Sequence, residues 1–164
     1  MSSAVRDVPI IYTPPAEPQR LTWSGRLLSL AIALAALGVL VTAVRLPPSP
    51  TGEGTHTGLG LQRCQFLATT GLPCPTCGMT TSFAWFVRAN WVASFYVQPM
   101  GFALALATGA LFWAALYMAI TGGPLNRLTR QVPMTRVVVA VLAFGIAAWG
   151  WKIFIHLHHM DGWH

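Results

Sequence analysis

The sequence predicts an all-α integral membrane protein with three transmembrane helices and one interfacial or re-entrant helical segment. Three observations carry that expectation. Of the 164 residues, 54% are hydrophobic and only 9% are charged, against about 25% charged in soluble domains, so a soluble fold of this size could not cover its surface. Long runs with almost no charge occupy Leu27–Val44, Met100–Thr121 and the segment opening at Val137, and about 20 apolar residues cross a bilayer as a helix. The basic residues stand singly between these runs, the pattern of membrane flanks rather than of a phosphate-binding face. The net charge of +6 therefore does not point to nucleic acid, and the expected partner is the lipid bilayer.

Residues 1–25 include "VPIIYTPPAEPQR", a proline-rich stretch that reads as an irregular cytoplasmic tail. Residues 26–164 read as a single membrane domain, with the first span at about 27–45. "VTA" before Arg45 resembles a signal-peptidase site, but the apolar run is longer than a usual signal h-region, which favours a retained anchor. "LPPSPTGEGTHTGLG", residues 46–60, reads as a flexible loop. A Cys-x-x-Cys turn follows at 73–78, and then an apolar, aromatic segment at 79–97. As a fourth span that segment would put Arg88 near the bilayer centre at about 2.5–3.5 kcal/mol. A helix at the interface avoids this cost, and Trp85, Trp91 and Tyr96 suit headgroup depth. Asn90 is a fitting N-cap, which divides the segment into two short helices broken at 88–90. Pro99 opens the second span, 99–121. The third span, 136–156, holds Lys152 near its end, where snorkelling to the headgroups would satisfy it.

With three spans, Arg6, Arg20, Arg26, Arg127, Arg130 and Arg136 share one side, and Arg45, Arg63, Arg88 and Lys152 share the other. The acid-free loop "GGPLNRLTRQVPMTR" carries three of the first set, so the positive-inside bias puts that loop and the N-terminus in the cytoplasm. The cysteine turn and all five histidines then fall on the outer side.

"TGLPCPTCGMTTSFAW" concentrates the candidate chemistry. Cys74 and Cys77 offer half of a tetrahedral zinc site. Cys64, upstream, is a candidate third ligand. His56, or His156 and His159 if the last helix continues that far, are candidate fourth ligands. A thiol–disulfide role is the second reading, since Cys-x-x-Cys pairs exchange disulfides when one thiol has a depressed pKa. Three cysteines do not supply the two pairs such relays use, and no thioredoxin-like βαβ pattern occurs. In the third reading the cysteines are small buried hydrophobes and the turn only returns the chain to the membrane.

The stretch from Thr70 to Phe102 resembles the bacterial membrane family known as domain of unknown function 2752. Pro73, Cys74, Pro75, Cys77, Gly78 and Thr80 fall on its motif. Thr81 stands where the pattern usually has Arg, and Gln98 where it has Asn. The resemblance implies a small multi-pass protein of a bacterial inner (cytoplasmic) membrane with a Cys-x-x-Cys turn at the membrane surface. It implies no reaction.

Walker, nucleophile-elbow and zinc-protease motifs are all missing from the sequence. Asp7, Glu17, Glu53 and Asp161 lie in tails or loops, with no pair evident for acid–base work. Small residues recur at Gly101, Ala105 and Gly109, at Ala31 and Ala35, and at Ala143 and Ala147. Such ridges suit packing within the bundle, with a homo-oligomer or larger membrane complex as the alternative. The combined expectation is a structural or accessory membrane protein, non-enzymatic, with zinc as the candidate cofactor. The alternative is a membrane redox protein using Cys74 and Cys77. Reporter fusions at positions 128 and 164 should give opposite compartment signals, and the same signal at both would contradict three spans.

Overall fold

The computed structural model describes residues 20–123 and 133–163. The expected irregular tail up to residue 19, the loop bearing Arg127 and Arg130, and His164 lie outside the described residues. Among the described residues the chain is all helical, with six α-helices and no strand. They are α1 (Trp23–Arg45), α2 (Gln65–Thr70), α3 (Met79–Phe86), α4 (Trp91–Val97), α5 (Pro99–Thr121) and α6 (Met134–Leu157), with a 3₁₀ turn at Thr55–Leu59. Helices α1, α5 and α6 are long and apolar enough to cross a membrane. Their outward faces carry large exposed apolar side chains, among them Leu28, Leu34, Trp113, Ile120 and Ile146, as helices surrounded by lipid require.

Helices α1 and α5 form an antiparallel pair, the most extensive helix–helix contact among the described residues. The buried face of α1 is Ser29, Ala33, Ala36 and Ala43, and that of α5 includes Gly101, Ala105 and Ala115. Alternating steps of three and four residues bring these small side chains onto one seam, where two backbones can approach closely. Of the small residues expected on α5, Ala105 is buried, Gly101 faces Ser82 of α3, and a Cβ at Gly109 would meet nothing within 4 Å. The Ala31 and Ala35 step is exposed instead, because it lies off the three–four register of α1. Ala143 and Ala147 are exposed as well.

Both ends of the pair are closed by arginine. Arg26, at the start of α1, donates to the carbonyls of Ala119 and Ile120, and Leu21 N–H donates to Gly122 O at 2.8 Å. These bonds satisfy carbonyls that the end of α5 cannot satisfy internally. Arg88 does the same for α1: it donates to Val44 O at 3.0 Å and Ala43 O at 3.4 Å, and to Ala84 O of α3 at 2.8 Å. A guanidinium at a helix C-terminus also complements the helix dipole.

The segment 79–97 is two short helices, as Asn90 suggests. Its side chain accepts from Ala93 N–H at 3.1 Å and caps α4. Ala89 takes a left-handed φ of 60° at the break. The two helices fold back on each other through buried serines. Ser82 Oγ lies 2.9 Å from Ser94 Oγ, and each hydroxyl donates to the other's carbonyl at 2.8 Å. Helix α3 also crosses α5 where Gly101 lacks a side chain, since a Cβ there would stand 2.8 Å from Ser82 Cβ.

Among the described residues, helix α6 buries side chains only in its C-terminal part, at Ala148, Lys152 and Ile155. Lys152 does not snorkel. It is fully buried, and its Nζ lies 3.1 Å from Asp161 Oδ1 and 3.2 Å from Glu53 Oε1. The contact with Asp161 is a hydrogen bond. The contact with Glu53 is a close approach of charge, since Oε1 has no aligned donor. The helix ends at Leu157, and the chain turns through His159 at a φ of 55°. His159 N–H donates to His156 O and Met160 N–H to Ile155 O, the paired bonds of a Schellman cap. His159 has therefore left the helix, and the face expected to join it to His156 does not form.

Removing one partner of a buried ion pair costs about 3–5 kcal/mol. Lys152→Ala should accordingly lower the unfolding free energy in detergent by about 3 kcal/mol, read from denaturant titration. An unchanged midpoint would show that the ammonium is not the anchor of this end.

Candidate metal centre at the cysteine turn

The cysteine turn sits at the end of the bundle where α1 finishes and α5 begins. Cys77 N–H donates to Cys74 O at 3.0 Å and Met79 N–H to Thr76 O at 3.2 Å, so two overlapping turns carry the chain into α3. Gly78 is the hinge between turn and helix. Its φ is 86°, a conformation that suits only glycine. A Cβ there would stand 2.9 Å from Gly52 O and 3.3 Å from Val97 Cγ1. Gly78 thus lets the 49–54 loop lie directly on the turn.

Three alternate carbonyls fix the approach to the turn. His156 Nε2 lies 3.2 Å from Gly71 O. Trp149 Nε1 donates to Pro73 O at 3.0 Å, and Gln98 Nε2 donates to Pro75 O at 2.9 Å. The two prolines restrict φ along this stretch. Helix α6 supplies two of the three partners, and the α4–α5 corner supplies the third.

The turn brings the sulfurs together. Cys74 Sγ and Cys77 Sγ are 3.0 Å apart, and Cys64, at the N-cap of α2, completes a set whose sulfurs all lie within 4.8 Å of one another. All three cysteines are free thiols. Cys77 is buried, while Cys64 and Cys74 are half-buried. Their environments push the two turn thiols apart. Burial opposes ionisation of Cys74, but hydrogen bonds from Thr76, Cys77 and Cys64 outweigh it, and the thiol falls below its ordinary range. Burial pushes the Cys77 thiol far up, and the neighbouring Cys74 and Cys64 sulfurs add to the rise. Three convergent thiols form a soft donor set of the kind that selects zinc or copper(I) over hard cations.

The candidate histidines do not join the sulfurs. His156 belongs to a second cluster, with its Nδ1 2.6 Å from Asp161 Oδ2 and 4.0 Å from Glu53 Oε1. His159 is in the exposed cap of α6. His56 Nε2 faces Gln62 O at 3.1 Å. Glu53 and Asp161, which the sequence places in tails or loops with no pair evident for acid–base work, converge on Lys152 and His156. The sequence carried one signal for this cluster, the charge of Lys152 inside an apolar helix, because a buried charge needs a partner. Of the remaining motif positions, Pro73 is buried, and Thr80 lines an apolar groove against α1. Thr81 is fully buried, with its hydroxyl 2.8 Å from that of Thr55.

A pocket of about 520 Å³ opens beside the sulfurs, lined by Cys64, Cys77, Glu53, His56, Arg63 and Thr57 among others. It joins the thiol set to the acidic edge of the second cluster.

A family model described as "Protein of unknown function (DUF2752)" matches residues 64–114, the family that the cysteine motif resembles. The matched stretch is about a third of the chain and contains all three cysteines, α2, α3, α4 and most of α5. No curated protein and no solved structure matches the chain.

In metal-free protein Cys74 should be alkylated well before Cys77. A lowered pKa makes thiolate available at lower pH, so the rate for Cys74 should rise with a midpoint below that of a free cysteine, about 8.5, while Cys77 stays unreactive beyond it. Mass mapping of iodoacetamide adducts against pH checks the order, and equal rates would contradict it.

Proposed function

We propose that this chain is a structural or accessory membrane protein whose cysteine turn is held by a thiolate-bound metal ion, zinc being the best fit. The observation that carries the reading is the convergence of Cys64, Cys74 and Cys77, whose sulfurs lie within 4.8 Å of one another although Cys64 is in a separate element. A metal there would tie α2 to the turn and, through Gly78, to α3. The shell around the turn supports this role. Gln98, Trp149 and His156 already hold the turn to the spans, so a metal would complete an anchored cap on the bundle. The expected setting is a bacterial inner membrane with the N-terminus cytoplasmic and the cysteines outside, and 79–97 at the interface. A homo-oligomer or larger membrane complex would suit an accessory role.

A second reading has its own observation. A lowered Cys74 thiol 3.0 Å from a strongly raised Cys77 thiol is the asymmetry of a reducing dithiol, with one ready nucleophile and one protonated partner. That favours thiol–disulfide exchange by Cys74 and Cys77.

Metal analysis of protein purified under reducing conditions separates the two. The metal reading expects about one zinc per chain, lost in Cys64→Ser, Cys74→Ser and Cys77→Ser alike, with a fall in thermal stability that added chelator reproduces in the wild-type chain. Zinc retained in the Cys74→Ser, Cys77→Ser double variant would sink it. A metal-free chain that cycles reversibly between dithiol and Cys74–Cys77 disulfide would favour exchange instead.

A further inference from the structure

The three sulfurs leave a coordination question that the neighbouring pocket answers. Closed structural zinc sites take four protein ligands, whereas sites with three protein ligands keep the fourth position for an exogenous group. Among the described residues no histidine, cysteine or carboxylate joins the three sulfurs within 4.8 Å. The pocket of about 520 Å³ is lined by two of those cysteines, Cys64 and Cys77, so the thiol set faces open space on that side. Its walls are not neutral. Arg63 lines it and has no hydrogen bond or ion pair among the described residues. Glu53 also lines it, facing at 3.2 Å an ammonium, Lys152, that it shares with Asp161. Arg63, one residue from the Cys64 ligand, is thus a cation on that wall with no partner among the described residues.

We propose that the fourth coordination position opens into this pocket and accepts a small exogenous thiolate that also carries a carboxylate. The thiolate completes a four-sulfur tetrahedral set, which suits a soft metal. The carboxylate pairs with Arg63, whose guanidinium presents a planar donor fork matched to that group. This inference rests on the metal reading above. It adds that the site is a ligand-binding site for small thiol acids or for the C-terminal cysteine of a peptide, rather than a closed staple.

Cobalt(II) loaded anaerobically into the purified full chain reports on both claims through its ligand-field and sulfur charge-transfer bands. Mercaptoacetate, 2-mercaptoethanol and acetate are the probes. Mercaptoacetate should shift the bands saturably with the cobalt retained through gel filtration, and 2-mercaptoethanol should do so more weakly. Acetate alone should leave the bands unchanged. Arg63→Ala should bind cobalt normally and lose about fivefold in mercaptoacetate affinity, the scale of one exposed ion pair, with no change for 2-mercaptoethanol. His56→Ala should keep both the cobalt and the response. The proposal is overturned by a tetrahedral spectrum that no probe alters, by thiols that strip the cobalt, or by an Arg63→Ala loss equal for both thiols. A response that appears only in His56→Ala would also overturn it, because His56 would then be the fourth ligand. Failure to bind cobalt at all would instead remove the metal reading itself.

Discussion

The ammonium of Lys152 is the constraint on which the cysteine-bearing end of the molecule depends. It sits fully buried near the end of an apolar helix, where an unpaired charge would be very costly. Its partners come from two places far apart in the chain, Glu53 in the loop after α1 and Asp161 in the tail after α6. Satisfying one charge therefore pulls the loop and the tail together over the top of the bundle. The loop then lies against the turn at Gly78, and the tail packs against the loop, since a Cβ on Gly52 would collide with Asp161 O. His156, one turn on from Lys152, binds Asp161 on one side and reaches Gly71 O on the other. The shape of the cysteine site follows from electrostatic need in a neighbouring cluster.

Polar contacts take over here from apolar burial. In lipid, helices gain little by hiding apolar surface from one another, so association relies on close packing and hydrogen bonds. The α1–α5 pair uses the first through its seam of small residues, and seals its ends with Arg26 and Arg88. Helix α6 uses the second. Trp149, Trp151, Lys152 and His156 reach Pro73, Tyr96, the two acids and Gly71 respectively, all within its last turns.

Much of this was legible in the sequence, and the limits have physical causes. The three apolar runs, the Asn90 cap and the Pro99 start are local signals, and each appears as read. Cys64 was a candidate partner for Cys74 and Cys77 on proximity in the chain, and the fold brings the three together. The ion cluster was hidden because Glu53 and Asp161 are more than a hundred positions apart, and nothing local marks either as buried. The seam of α1 was misread because Ala-rich helices present several plausible small-residue rows, and only the partner helix decides which is used. Helix α1 also begins at Trp23 rather than at Leu27, since membrane-flanking polar residues extend a helix without adding to its apolar run.

Among the described residues the polar holds on α6 lie at one end, and this has a mechanical consequence. Residues 134–144 are exposed, and only from Ala148 onward does the helix bury side chains against the protein. Among the described residues the helix is therefore gripped near its C-terminal end, next to the cysteine turn. A tilt of the exposed residues 134–144 in the bilayer would bear on the buried C-terminal part. The torque would be delivered to Trp149, Lys152 and His156, and from them to the carbonyls of Gly71 and Pro73 that hold the turn. Lipid surroundings and thiol geometry would in that way be joined through one helix.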